Sequence, residues 1–380
     1  MAMVRFGDVA ERVNTKEDRY NTDLEFYVGG DHIESNALTV SGRGRIKEAD
    51  LGPMFYFGFK PGDILFVTRN PHLRKSAKVD FPGICSEKTL VIATKDENVL
   101  MQNYLAGVMQ SDDFWDFMEG NKSGSVNFFI NWSTLADYEF DLPSLDRQRE
   151  LAELLWAAND LKEKYKKLIT ASDEMLKAKF REVLRGAKCK EYVFAEICKR
   201  GPQNGFYRKG AEKDGSVPVL KMKQLFGNES METADDCDLF AISPAELEKF
   251  KLTKNDLVFG RRSLVPEGAG KCRRVGELER PTIFESSMLR VTLNTEVALP
   301  YVVQVWSESP AGEKAIAALR SGTTVVGIKG SDLRQMRISL PPLDLQRQFV
   351  GIAAQEEKVK ANLKKSIADV DNIIKGLING

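Results

Sequence analysis

Histidine is scarce in this chain of 380 residues, which has only His32 and His72. Two imidazoles so far apart argue against a histidine-based metal site or a catalytic triad. Cysteine is sparse too: Cys85, Cys189, Cys198, Cys237 and Cys272 are odd in number, scattered and never spaced C-x-x-C, so they read as reduced structural thiols. There is no apolar run of about 18 residues, no signal-like start and no Arg-rich transit segment. The expectation is a soluble cytoplasmic protein with no membrane contact. Net charge is zero, with 55 Lys and Arg against 55 Asp and Glu, which argues against an indiscriminate polyanion binder.

Catalytic motifs are equally thin. Asn70-Pro71-His72-Leu73 approaches the N-P-P-(Y/F) pattern of amino-methyltransferases but lacks the aromatic that stacks on a flipped base. Phe26-Tyr27-Val28-Gly29-Gly30 is too short for a cofactor loop. Gly268-Ala269-Gly270-Lys271-Cys272 lacks the upstream glycine and the hydroxyl of a P-loop. No catalytic residue, metal site or cofactor is expected.

What the chain does have is a repeat. LPSLDRQRELAELL begins at Leu142 and LPPLDLQRQFVGIA at Leu340. At a constant offset of 198, Leu142, Pro143, Leu145, Asp146, Gln148 and Arg149 fall on Leu340, Pro341, Leu343, Asp344, Gln346 and Arg347. Upstream, Ser123, Gly124, Ile130, Ser133 and Leu135 fall on Ser321, Gly322, Ile328, Ser331 and Leu333 at the same offset. Further back, GDILFVTRN at Gly62 matches NDLVFGRRS at Asn255 at an offset of 193. The chain is two copies of one unit, and its length suits two domains. The surfaces have diverged: Lys and Arg number 15 against 22 acids in residues 1–141, and 25 against 20 in residues 185–338. Two copies of one fold with opposite charge point to different ligands or different ligand sequences.

Short apolar runs bounded by Gly, Pro and Asp read as strands: Ile64 to Thr68, Thr89 to Ala93, Val219 to Met222, Leu257 to Phe259 and Leu289 to Leu293. One helix per copy is expected around Val99 to Met118 and Val297 to Leu319. The repeated phrase opens a longer helix. In the first copy Leu154, Leu161, Leu168 and Met175 recur every seven residues, with Leu151, Ala158 and Tyr165 as a second seam position. In the second copy Ile352, Val359, Leu363, Ile367, Val370, Ile374 and Leu377 form a comparable stripe. Such stripes predict an antiparallel pair of rods, each roughly 60 Å long. The expected architecture is α+β: mixed domains at 1–141 and 186–338, each followed by a long helix, at 142–185 and 339–380, with pseudo-two-fold symmetry. Asp146 and Asp344 can complement the helix N-termini, and the preceding prolines end the last strand of each domain. That leaves Gln148, Arg149, Gln346 and Arg347, polar residues at helix starts that the local fold does not require.

This order of domain, L-P-x-L-x-x-Q-R, long helix, second domain and the same phrase again resembles the specificity subunit of type I restriction-modification systems, over nearly the whole chain. One departure is that Asp146 and Asp344 stand two residues before the Gln, where the family commonly has a Glu directly before it. The resemblance implies a non-catalytic reader of double-stranded DNA. Each domain would recognise one half of a split, non-palindromic site, with the paired helices as spacer. The helix starts would dock two methyltransferase subunits, which carry S-adenosylmethionine, and restriction (nuclease-translocase) subunits would join them.

DNA contacts are expected from basic, amide and aromatic residues on loops. In the first copy these are Arg43, Arg45 and Lys47, then Arg69, Asn70, Arg74 and Lys75. In the second they are Arg200, Gln203, Asn204, Tyr207, Arg208 and Lys209, then Arg261, Arg262, Arg273 and Arg274. The S-G-(S/T) turns at Ser123 and Ser321 read as structural. The competing reading is a coiled-coil scaffold joining two protein-binding domains without touching DNA.

Overall fold

The computed structural model describes residues 2–208, 215–227, 230–232 and 237–380. The chain divides into two compact units, one made of Met1–Leu168 with Asn362–Gly380 and the other of Ile169–Ala361. Each therefore holds one domain together with part of each long helix, Leu145–Gly186 and Leu343–Asn379.

The first unit is built on the strand Ile64–Val67, which is buried on both faces. Side chains alternate across a strand. Ile64 and Phe66 therefore enter one core with Phe114 and Trp115, while Leu65 and Val67 enter another with Phe57, Phe59 and Cys85. Burial on both sides explains why ILFV shows no polar alternation. The strand lies in a four-stranded sheet in the order Ala10–Val13, Thr89–Thr94, Ile64–Val67, Ser76–Lys78. Its register with the second of these runs antiparallel, from Ile64 opposite Ile92 to Val67 opposite Thr89. A second four-stranded sheet covers the other face, and a two-stranded ribbon joins Ala2–Arg5 to Glu139–Leu142.

The second unit repeats the plan on Asp256–Gly260. Leu257 and Phe259 face one core and Val258 another. The sheet has five strands, in the order Cys198–Asn204, Met288–Leu293, Asp256–Gly260, Cys272–Val275, Ser230–Met231. Asp63 and Asp256, the acids of the two GDILF-like motifs, are buried. Each accepts a hydrogen bond from the backbone N–H three residues earlier, Lys60 at 2.8 Å and Thr253 at 2.7 Å. The motif is a turn lock feeding a buried strand.

Two expectations need correction. The single helix expected in each domain is two: Gln102–Val108 and Asp112–Gly120 in one copy, Pro300–Ser307 and Pro310–Ala317 in the other. Ser111 and Ser309 break the run because their hydroxyls cap the second helix, accepting from Phe114 N and Gly312 N at 3.2 Å.

The seam of the first long helix also lies one position over from the leucine repeat. Ala152, Leu155, Asn159, Leu176 and Phe180 are buried, while Leu154, Leu161, Leu168 and Met175 are 40–54% exposed. Ala158 and Tyr165 do pack in the cluster of Leu155, Val370 and Ile374. On the second long helix Val370 and Ile374 are buried, but Ile352 and Val359 are exposed. Spacing of three and four selects the packed face, and the longest run of leucines does not. Within each unit the helices run antiparallel: Lys162 meets Asp371 at 2.5 Å in the first, and Ser172 meets Glu356 at 2.7 Å and Phe180 meets Phe349 at 5.0 Å between centroids in the second.

Candidate nucleic-acid interface

The geometry begins with the glutamine of the repeated phrase. Gln148 is 1% exposed and makes three hydrogen bonds. Its Oε1 accepts from Met101 N at 2.9 Å, and its Nε2 donates to the carbonyls of Val99 and Pro143, both at 3.0 Å. Gln346, also 1% exposed, does the same: Leu299 N at 2.9 Å, Val297 O at 3.0 Å, Pro341 O at 2.9 Å. Met101 and Leu299 precede the first helix of each helical pair and lack a side-chain cap of their own, so the glutamine fixes the long helix to the domain at an otherwise orphaned N–H. The local fold does require these two glutamines, contrary to the expectation from sequence. Arg149 and Arg347 are exposed and paired with Asp146 at 3.0 Å and Asp344 at 3.5 Å. Beside Arg149 a shallow groove is lined by Met101, Asn103, Ala152, Glu153 and Trp156.

The other repeated geometry lies where the buried strand leaves the sheet. In the first unit Arg69 pairs with Phe129 in a β-bridge, and its guanidinium donates to Asn127 O at 3.2 Å. Phe129 closes a hairpin with Ser123 through N–H to carbonyl bonds of 2.9 and 3.0 Å, and Ile130 N donates to Thr68 O at 2.9 Å. In the second unit Arg262 pairs with Gly327, Gly327 closes on Ser321 at 2.8 and 2.9 Å, and Ile328 N donates to Arg261 O at 3.0 Å. Gly124 and Gly322 turn these hairpins at φ of +95° and +100°, the left-handed region where glycine carries no steric penalty. Their tips expose Val126 and Val325.

In the second unit these elements form a basic cleft of about 570 Å³, where Asn204, Arg261, Arg262 and Lys329 meet the 321–327 hairpin. Arg261 is pushed below its ordinary pKa by burial and by the neighbouring charge of Arg262, a repulsion that an anion would relieve. Sequence reasoning missed Lys329 and the hairpins. Their signal was the repeated S-G turn, read as structural, whose hairpins pair with the strand ends at Arg69 and Arg262.

Of the other candidates, Arg43, Lys47, Asn70, Arg200 and Tyr207 are exposed. Arg43 lies 4.0 Å over the Phe26 ring, and Arg45 is exposed but paired with Glu25 at 2.6 Å. Several are engaged inside the fold instead. Arg74 pairs with Asp112 at 2.5 Å, Lys75 donates to Gly30 O at 2.6 Å, Arg208 pairs with Glu246 at 3.1 Å, Arg273 with Glu308 at 2.5 Å and Arg274 with Glu357 at 2.5 Å. Gln203 bonds Arg290 and donates to Lys249 O at 3.1 Å. An acid or a carbonyl in reach satisfies these groups, and nothing in the sequence indicates that partner. Lys209 lies outside the described residues.

The described residues hold no cluster of His, Cys, Asp and Glu that could bind a metal, and no helix is long and apolar enough to cross a membrane. Burial pushes the thiols of Cys198 and Cys85 up to about 11 and about 12, far from the range of a reactive nucleophile.

No family model matches the chain. It is 22% identical over 336 residues to the type I restriction enzyme EcoKI specificity subunit of Escherichia coli strain K12, covering 80% of this chain and 70% of that protein. The fold matches the type I restriction-modification S subunit from M. genitalium with a TM-score of 0.56 at 14% identity, over 99% of this chain and 94% of that one. It also matches a chain from a structure of type I R-M complex assembly and conformational transition, with a TM-score of 0.55 at 16% identity, over 99% and 96%.

Proposed function

We infer that this chain is the specificity subunit of a type I restriction-modification system, a non-catalytic protein that recognises DNA sequence on behalf of catalytic partners in the cytoplasm. The observation that carries the reading is the duplicated edge, an arginine at the end of the same buried strand, clasped to the same glycine hairpin, in both copies. Arg69 in one unit and Arg262 with Arg261, Asn204 and Lys329 in the other present guanidinium and amide groups of the kind that read guanine and adenine edges. Arg43, Lys47 and Arg200 supply positive charge for phosphates. Because the two edges differ in sequence, the half-sites differ, and the site is bipartite and non-palindromic. The long helices pair as an antiparallel coiled coil, and the half-sites are centred about one helical turn apart, roughly 34 Å.

Two methyltransferase subunits dock on the helices, and restriction subunits join them. The surface that fits is the exposed line of Leu154, Leu161 and Leu168 together with Arg149. A line of large apolar side chains at seven-residue spacing that does not fold its own protein is suited to a partner helix. The decisive experiment maps methylation in cells expressing this chain with its cognate methyltransferase. A split asymmetric motif is expected, and a continuous palindrome would overturn the reading, as would methyl transfer by the purified chain alone.

A further inference from the structure

Lys162 and Asp371 form an ion pair in the first unit at 2.5 Å, and Lys360 and Asp173 form one in the second at 2.7 Å. At the offset of 198 that relates the copies, Lys162 corresponds to Lys360 and Asp173 to Asp371. The lysine of each copy thus meets the aspartate of the other, and one contact occurs twice by symmetry. Both lysines lie in the packed face. The Lys360 side chain is 5% exposed and that of Lys162 is 18% exposed, while their aspartates keep 39% and 46%; Leu176 lines the same recess as Lys360 and Ile374 the same recess as Lys162, beside polar groups such as Glu357 and Asn159.

Desolvating an ammonium group is costly, and a well-packed apolar pair in its place would be at least as stable. What a charge pair with its lysine drawn into the packed face gives a helical seam is uniqueness of register. An apolar heptad seam tolerates a slip of seven residues, since one knob replaces another, but this seam does not. A slip in one direction sets Lys162 against Lys364 and Lys360 against Lys166, leaving Asp173 against Ala353 and Asp371 against Leu155. A slip in the other sets Lys162 against Ile378 and Lys360 against Phe180, with Asp173 against Ile367 and Asp371 against Ile169. Every alternative buries a like-charge pair or an unpaired charge.

We propose that the reciprocal pairs Lys162–Asp371 and Lys360–Asp173 set the axial register of the two long helices and thereby the length of the gap between the half-sites. The proposal rests on the reading of the chain as a DNA specificity subunit. A seven-residue slip moves one helix along the other by about 10 Å, which is about three base pairs at roughly 3.4 Å each.

The test uses the full chain in complex with its methyltransferase and a series of DNA duplexes in which only the gap changes. Lys162→Asp with Lys360→Asp makes both native contacts acid against acid, while the first slipped register would place the new acids against Lys364 and Lys166. Methylation of the native-gap duplex should fall at least tenfold relative to duplexes about three base pairs different. Adding Asp371→Lys and Asp173→Lys restores both pairs with charges exchanged, and the native gap preference should return to within twofold of wild type. An unchanged gap preference in the lysine double variant sinks the proposal, as does failure of the fourfold variant to recover while its thermal unfolding matches wild type. If the wild-type complex methylates no split site, the functional reading falls. Register is then judged by melting alone: a lower Tm in the double variant that the exchange reverses supports the lock, and unchanged melting sinks it.

Discussion

In the first unit Arg69 is followed by Asn70 and an immediate tight turn at Pro71–Leu73; in the second, Arg262 is followed by Ser263, Leu264 and Val265 before the turn at Pro266–Gly268. Leu264, one of the additional residues, is 80% exposed. Nothing comparable has happened a few residues inward. Asp63 and Asp256 lock the same turn, Ile64 and Leu257 fill the same place, and Gln148 and Gln346 make the same three bonds. The copies are held alike at these buried polar groups, and they differ at the edge, where side chains meet solvent. Divergence at the edge over an unchanged frame is what the proposed pair of readers with different half-sites would require.

The most damaging way to break this likeness is at the shared glutamine. Gln148→Ala and Gln346→Ala should each cost about 3 kcal/mol, because each strands a buried N–H and two carbonyls. Chemical denaturation should find the two losses equal, and a loss in only one copy would show that the duplicated bonds are not equivalent in energy.

At the edges the expectation is the opposite, with effects confined to one half. Arg69→Ala should relax base preference in one half-site by roughly 1–3 kcal/mol and Arg262→Ala in the other, read from methylation of duplexes randomised in one half at a time. A uniform loss across all sequences, with a salt slope reduced by about one, would reassign the residue to a phosphate.

On the first long helix the contrast is between faces. Leu161→Asp should weaken methyltransferase assembly about tenfold in sedimentation while changing stability by less than about 0.5 kcal/mol, as for other surface sites. Leu155→Asp, one seam position away, should unfold the packing instead. If Leu161→Asp assembles normally, the leucine line is not the dock.

The smallest effects belong to the arginines that turned inward. Arg74→Ala breaks a partly exposed pair with Asp112 and should cost under about 1 kcal/mol of stability, leaving sequence preference unchanged in a methylation assay.

The duplication, the buried strands and the long helices were legible because they rest on local periodicity and on a repeat that one chain displays against itself. The place of Gln148 in the local fold was not legible. A polar residue at a helix start looks the same in sequence whether it faces water or a carbonyl 49 residues upstream at Val99. The leucine line was likewise visible, and its exposure was not, since the packed face is chosen by neighbours such as Val370 and Ile374 that come two hundred residues later. Arg273 and Arg274 look like a basic cluster on paper, and only the fold brings Glu308 and Glu357 to them.

The six hydrogen bonds of the glutamine clasp all go to main chain. Its partners are the N–H of Met101 and the carbonyls of Val99 and Pro143 in one copy, and those of Leu299, Val297 and Pro341 in the other. Every residue has a carbonyl and every residue but proline has an N–H, so the joint places almost no demand on which side chains the domain brings to it. It is a socket indifferent to its cargo. A domain with an entirely different edge fits the same joint, provided its backbone passes the same three points.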